Sequence, residues 1–150
     1  MTVGLPGVGK STYFENNFKD QDIAYVSTDM FIDQMAAKSG KTYSELFSAT
    51  VKLAEKSMYN ALGQALENGQ DIFWDQTNMS NKVRMKKLAK IPKDYRKVAL
   101  VFSTDDETLK QRLDNRPDKV IPDSAIASMK SSYSVPTTQE GFDEIKMVST

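Results

Sequence analysis

Gly4-Leu5-Pro6-Gly7-Val8-Gly9-Lys10-Ser11-Thr12, the stretch GLPGVGKST, satisfies G-x-x-x-x-G-K-[ST] at every position. Its glycines let the backbone curl where a side chain would clash. Curled in that way, successive N–H groups converge and form a nest for an anion. "TV" before the loop suggests a strand, and "GKSTYFENNF" after it suggests a helix whose N-terminus adds to the field. The whole run from Gly4 to Thr12 is therefore expected to cradle nucleotide phosphates. Lys10 is expected to reach the β- and γ-phosphates, and the Ser11 hydroxyl to ligate Mg²⁺.

The rest of the composition narrows the chemistry. With 150 residues the chain is the size of one domain, residues 1–150, and can bury a core. Lys plus Arg equals Asp plus Glu at 20 each, so no global basic field announces a nucleic acid. There is no cysteine and no histidine. Disulfides, thiolate catalysis and the commonest general base and metal ligand are thereby excluded. Acid–base work falls to carboxylates, Lys or Tyr. No apolar run approaches a membrane span and no charged-then-apolar leader precedes the domain, so a cytoplasmic setting, no membrane and no obligate protein partner are expected.

Short apolar runs alternate with helical patterns. "IAYVST", "DIFWD", "KVALVF" and, more weakly, "FDEIKMV" read as strands. The clearest helix opens at Thr42 with the capping box "TYSE" and stops at Asn68–Gly69. Its apolar stripe is expected to be Phe47, Val51, Ala54, Met58, Leu62 and Ala65. A second box, "TDDE" from Thr104, opens a helix carrying Leu109 and Leu113. Strands alternating with helices predict an α/β fold: a mostly parallel sheet with helices on both faces. Only "MTV" precedes Gly4, so the first strand is either unusually short or begins upstream of Met1.

Ligands of such sheets sit at the carboxyl ends of the strands. Asp29 follows "YVST" and Asp75 ends "DIFWD". Asp29 is the better candidate for taking a proton from an acceptor hydroxyl; it also suits the N-cap of the helix that follows. Asp75 suits a water-bridged Mg²⁺, a brace for the acceptor, or a plain turn residue. Arg112 and Arg116 stand four residues apart at a helix end that runs into a Pro-bounded loop. They are candidates for closing over a phosphate, or for a solvated helix terminus. In "NKVRMKKLAKIPKDYRK" the cations Lys82, Arg84, Lys86, Lys87, Lys90, Lys93, Arg96 and Lys97 are opposed only by Asp94. Val83, Leu88 and Ile91 are expected to face the sheet and leave a basic outer face, either solvated or steering a polyanion.

In order, "GLPGVGKST", "VSTDMF", "DIFWDQTN", the R-x-x-x-R lid "RLDNRPDKVIP" and "EGFDEI" resemble the phage polynucleotide kinases, a P-loop kinase family, over nearly the whole chain. The resemblance implies a three-layer P-loop kinase domain, ATP and Mg²⁺, a phage-infected bacterial cell, and transfer to the 5′-OH of DNA or RNA. It implies Lys10 and Ser11 as phosphate and Mg²⁺ residues, Asp29 as general base, and Arg116 with Arg112 as the lid arginines. Asp29, Asp75, Asn78 and Arg84 are the acceptor-side candidates. One departure stands out: where that family carries a phosphate-binding arginine three residues after the base, this chain has Ile32. A hydroxymethylated base such as hydroxymethyluracil in phage DNA is the alternative acceptor. A small-metabolite or nucleoside kinase and a nucleotide-sensing ATPase remain further alternatives.

Overall fold

The computed structural model describes all residues from 1 to 150. In chain order the elements are β1 (Thr2–Val3), α1 (Lys10–Asn17), β2 (Ile23–Val26), α2 (Thr28–Ser39), α3 (Tyr43–Glu67), β3 (Asp71–Trp74), α4 (Asn81–Leu88), β4 (Val98–Ser103), α5 (Asp106–Asp114), α6 (Asp123–Ser132) and β5 (Glu144–Ser149). Every strand pairing is parallel. No helix is long and apolar enough to cross a membrane.

Side-chain alternation along the strands builds three layers. Phe73, Leu100 and Phe102 point to one face, where they meet Phe14 of α1 and Leu109 of α5. Their neighbours point to the other. There Ala99 and Val101 pack on Leu88 of α4, and Val26 and Trp74 pack on Met58 and Leu62 of α3. Burying each of those large side chains stabilises the fold by roughly 1.5–3 kcal/mol.

The sheet is divided. β1, β4 and β5 form one ladder, in that spatial order, and β2 with β3 forms another. The two residues of β1 pair with β4 and form no ladder with β3. The halves are instead joined by the buried Thr2. Its Oγ1 donates to Gln76 O at 2.7 Å and accepts from Gln76 N at 3.1 Å. Gly4 N donates to Thr77 O at 2.9 Å and Asn78 Nδ2 to Thr2 O at 2.8 Å. On the other side of β1, Leu100 N donates to Met1 O at 2.9 Å.

Three local expectations shift by a residue. The capping box at Thr42 is present, but the buried stripe of α3 begins with Leu46 and Thr50 rather than Phe47 and Val51. Thr50 tolerates burial because its Oγ1 donates to Leu46 O at 2.7 Å. The cap of α5 is Asp105, whose carboxylate accepts from Thr108 N at 2.8 Å, not Thr104. On α4 the polarity is inverted: Arg84 and Lys87 are buried, whereas Val83 and Met85 are exposed.

Candidate active site

The loop between β1 and α1 takes the shape its glycines permit. Gly7 and Gly9 have φ of 85° and 94°, which a side chain resists. A Cβ on Gly7 would lie 3.1 Å from Leu113 Cδ2. Gly9 is the N-cap of α1 and contributes no side-chain cap, so the first N–H groups of the helix stay open to the cleft. Lys10 folds back over the loop and donates to Leu5 O at 2.8 Å and Gly4 O at 3.1 Å. Burial pulls its ammonium below the ordinary lysine range, and the charges of Asp75 and Asp29 partly oppose that.

These residues fit a nucleotide phosphate with a magnesium ion. Lys10 is desolvated and paired only with neutral carbonyls, so a phosphate is the stronger partner. The Ser11 hydroxyl is exposed beside it. No cluster of three or more carboxylates could hold a metal by itself. Magnesium, however, binds through one or two protein oxygens plus phosphate oxygens.

Asp29 lies in the first turn of α2, at the carboxyl end of β2. It is not the cap: that is Ser27, whose Oγ accepts from Asp29 N at 3.1 Å. Both oxygens of the Asp29 carboxylate are engaged. Tyr43 donates to Oδ1 at 2.6 Å and Lys119 to Oδ2 at 3.0 Å. Lys119 also lies 3.8 Å from Asp33 and 4.0 Å from the centre of the Tyr43 ring. Burial and the Asp29 charge push the Tyr43 phenol well above its ordinary range, so it stays a donor. Asp75, almost fully buried at the end of β3, accepts from Tyr25 at 2.5 Å and lies 3.2 Å from Thr2 Oγ1.

Lys10, Ser11, Asp29, Asp75, Arg112 and Arg116 line one cleft of about 1770 Å³. That volume exceeds the ~300–1,000 Å³ of an ordinary small-molecule pocket. Arg112 is anchored, donating to Thr150 Oγ1 at 3.0 Å. Arg116 is exposed in the cleft and forms no ion pair with the protein.

Two expected acceptor-side residues are committed elsewhere. Arg84 is wholly buried, bidentate to Glu140 at 2.7 and 2.8 Å and donating to Asn78 O and Met79 O. Asn78, also buried, accepts from Lys87 through Oδ1 and donates to Thr2 O. Both hold the segment after β3 in place, and neither lines the cleft. No residue of α4 does so either. The basic outer face therefore loses Arg84 and Lys87; Lys82, Lys86, Lys90 and Lys93 remain exposed. Ile32 is fully buried against Leu46 and Ala54.

Lys119 and Tyr43 were not legible as site residues. Tyr43 stands inside the capping box, and only its position at the first turn of α3 aims its hydroxyl at Asp29. Lys119 sits in a loop whose course no periodicity reports.

The AAA domain family model matches residues 1–136. The chain also superimposes on the crystal structure of a "putative kinase" from Chloroflexus aurantiacus with a TM-score of 0.74. The two are 16% identical, and the alignment covers 99% of this chain and 82% of that one. At that identity the likeness shows the fold alone: an α/β domain with a parallel sheet between helices.

Proposed function

The chain belongs to the AAA domain family, and on that premise we propose that it is an ATP-dependent phosphotransferase acting on an alcohol. One observation carries this. Lys10 from the phosphate loop and Asp29 from the second strand end face the same cleft, close enough for the Asp29 charge to act on the Lys10 ammonium. A cation for the donor and a carboxylate for the acceptor, in one water-accessible space, is what transfer to a hydroxyl requires.

ATP with Mg²⁺ would supply the phosphoryl group, held by the Gly4–Thr12 backbone, Lys10 and the Ser11 hydroxyl. Lys10 exchanges the carbonyls of Gly4 and Leu5 for phosphate oxygens. Asp29 accepts the proton from the acceptor oxygen as that oxygen bonds to phosphorus and the bond to the leaving nucleotide breaks. Arg116, without a protein partner, offers its planar donors to the charge on the group in transit. Arg112 stays oriented by Thr150.

A second reading, a polynucleotide that carries the acceptor hydroxyl at its 5′ end, draws on the exposed Lys82, Lys86, Lys90 and Lys93, none of which lines the cleft. The resemblance to phage polynucleotide kinases supports the same acceptor, or a hydroxymethylated base in DNA. The test of the function itself is transfer of label from γ-labelled ATP to a panel of alcohols, with a no-acceptor control. Acceptor-dependent product that is lost in Lys10→Ala is the expected result. Free phosphate released at the same rate with and without acceptor would instead make the protein an ATPase.

A further inference from the structure

Resting on the phosphotransfer proposed above, a second step concerns the acceptor end of the cleft. We propose that the acceptor is an uncharged alcohol with a flat apolar body, and that the body lies on the ring of Phe47.

The cleft is electrostatically divided. The phosphate loop and α5 side bring Lys10, Arg112 and Arg116. The α2 and α3 side brings Asp29 and Asp33, four residues apart on one helix face, and no basic residue of its own. The ammonium that reaches this end, Lys119, is spent between those two carboxylates at 3.0 and 3.8 Å. It is also largely enclosed, with a side-chain exposure of 12%. Besides Lys119, the cation whose charge bears on Asp33 and Tyr43 is Arg116, which the transfer proposed above engages on the donor phosphate, so an acceptor phosphate would sit beside carboxylates. Ile32, one turn beyond Asp29, is buried and offers nothing to an anion.

Part of the apolar surface there lies outside the buried core. The buried stripe of α3 passes through Leu46 and Thr50, which leaves Phe47 aside, 45% exposed and lining the cleft. Its ring stands 5.8 Å from that of Tyr43, inclined by 34°, and Tyr43 holds Asp29. Met30 and Val120, both exposed, also line the cleft. An exposed aromatic surface beside a proton-accepting carboxylate matches the build of a small-molecule site, apolar with few convergent polar groups. A flat body on Phe47 presents its hydroxyl to Asp29, and neither ring nor carboxylates ask it for a charge.

The experiment pairs acceptors that share a hydroxyl and differ by a phosphate: thymidine with thymidine 3′-monophosphate, and glycerol with glycerol 3-phosphate. Decathymidylate with a free 5′-OH is added. Each is assayed with γ-labelled ATP across a range of salt. The neutral member of each reactive pair is expected to have the higher kcat/KM, by about tenfold or more, since like-charge juxtaposition is costly. Thymidine should exceed glycerol and be insensitive to salt. Phe47→Ala, a change at a half-exposed position, should raise the KM for thymidine roughly two- to tenfold and leave ATP affinity unchanged. Asp33→Lys should narrow the gap between thymidine and its 3′-phosphate. Higher kcat/KM for the phosphorylated members or the decamer, or an unchanged thymidine KM in Phe47→Ala, would overturn the inference and leave phosphotransfer standing. Label in none of the acceptors would overturn phosphotransfer to these alcohols and the inference together.

Discussion

Lys119 Nζ stands 3.0 Å from Asp29 Oδ2 and bridges the segment after α5 to the helix that carries the carboxylate proposed as the general base. The same segment is fastened to the first turn of α3, where Val120 N donates to Ser44 Oγ at 2.8 Å. With Tyr43 on the other oxygen, Asp29 has no unoccupied oxygen. An acceptor hydroxyl must therefore share or displace one of these donors, and loop and acceptor helix respond together.

Asp29→Asn should lower the rate of transfer by ~10²–10⁴-fold, the usual contribution of a general base. ATP affinity should change little, because the Asp29 carboxylate bonds to Tyr43 and Lys119 and not to the phosphate loop. Single-turnover rates and equilibrium ATP binding check this; a collapse of ATP binding would reassign Asp29 to the donor side.

Lys10→Met should separate function from stability. Burial opposes the Lys10 charge, so Met relieves a cost, and the nucleotide-free protein should melt at the same temperature or higher. The parent should gain ~2.7 kcal/mol from a nucleotide at a hundred times its Kd. The variant should gain nothing, as read by thermal melting with and without ATP and Mg²⁺.

Arg116→Ala should reduce turnover more than ATP affinity, because the charge it meets is greatest in the transition state. The ~10³–10⁵-fold effect of an arginine in GTPases is an upper bound. Arg112→Ala should be milder in turnover, since Arg112 is already committed to Thr150.

Lys82, Lys86 and Lys90 changed together to Gln should weaken single-stranded DNA binding. The log–log salt slope should shrink by roughly 0.7 per lost phosphate contact. Thymidine kinetics should be untouched, since α4 does not line the cleft. An unaltered salt slope would make this face merely solvated.

Lys87 should give the protein a distinctive alkaline stability profile. Burial lowers its ammonium to about 8 in the fold, against about 10.4 in the unfolded chain. Between those values the unfolded state binds more protons, so stability rises with pH. The limit is ~1.4 kcal/mol per pH unit for one group. Below about 8 the penalty is fully present. Urea titrations between pH 8.5 and 10 should show the rise in the parent and a flatter profile in Lys87→Met.

The phosphate loop, four of the strands and the capped α3 were legible because each writes a local signature: fixed glycines, runs of Val, Ile and Phe, a Thr-x-x-Glu box. What sequence could not report was direction. Arg84 and Lys87 look like members of a solvated basic face, yet Glu140, some fifty residues on, draws Arg84 inward, and Gln76 and Asn78 receive Lys87. Phe47 looks like core because it fits a helical period, but Leu46 fits the same period one step earlier and wins the position facing Ile32. Lys119 meets Asp29 across ninety positions, a distance at which only the fold decides.

The divided sheet has a consequence for how the molecule deforms. The strand that feeds the phosphate loop and the strand that ends in Asp75 are stitched by a hydroxyl, an amide and one side-chain carboxamide rather than by a ladder. Parallel ladders resist shear because many bonds must break at once; a short stitch does not. The seam is thus a line of weak backbone pairing, with the ladder that leads into the Gly4–Thr12 loop on one side and the ladder that leads into Asp29 on the other. Thr2 stands on that line, and across it the two halves also share the core of Phe73, Leu100 and Phe102.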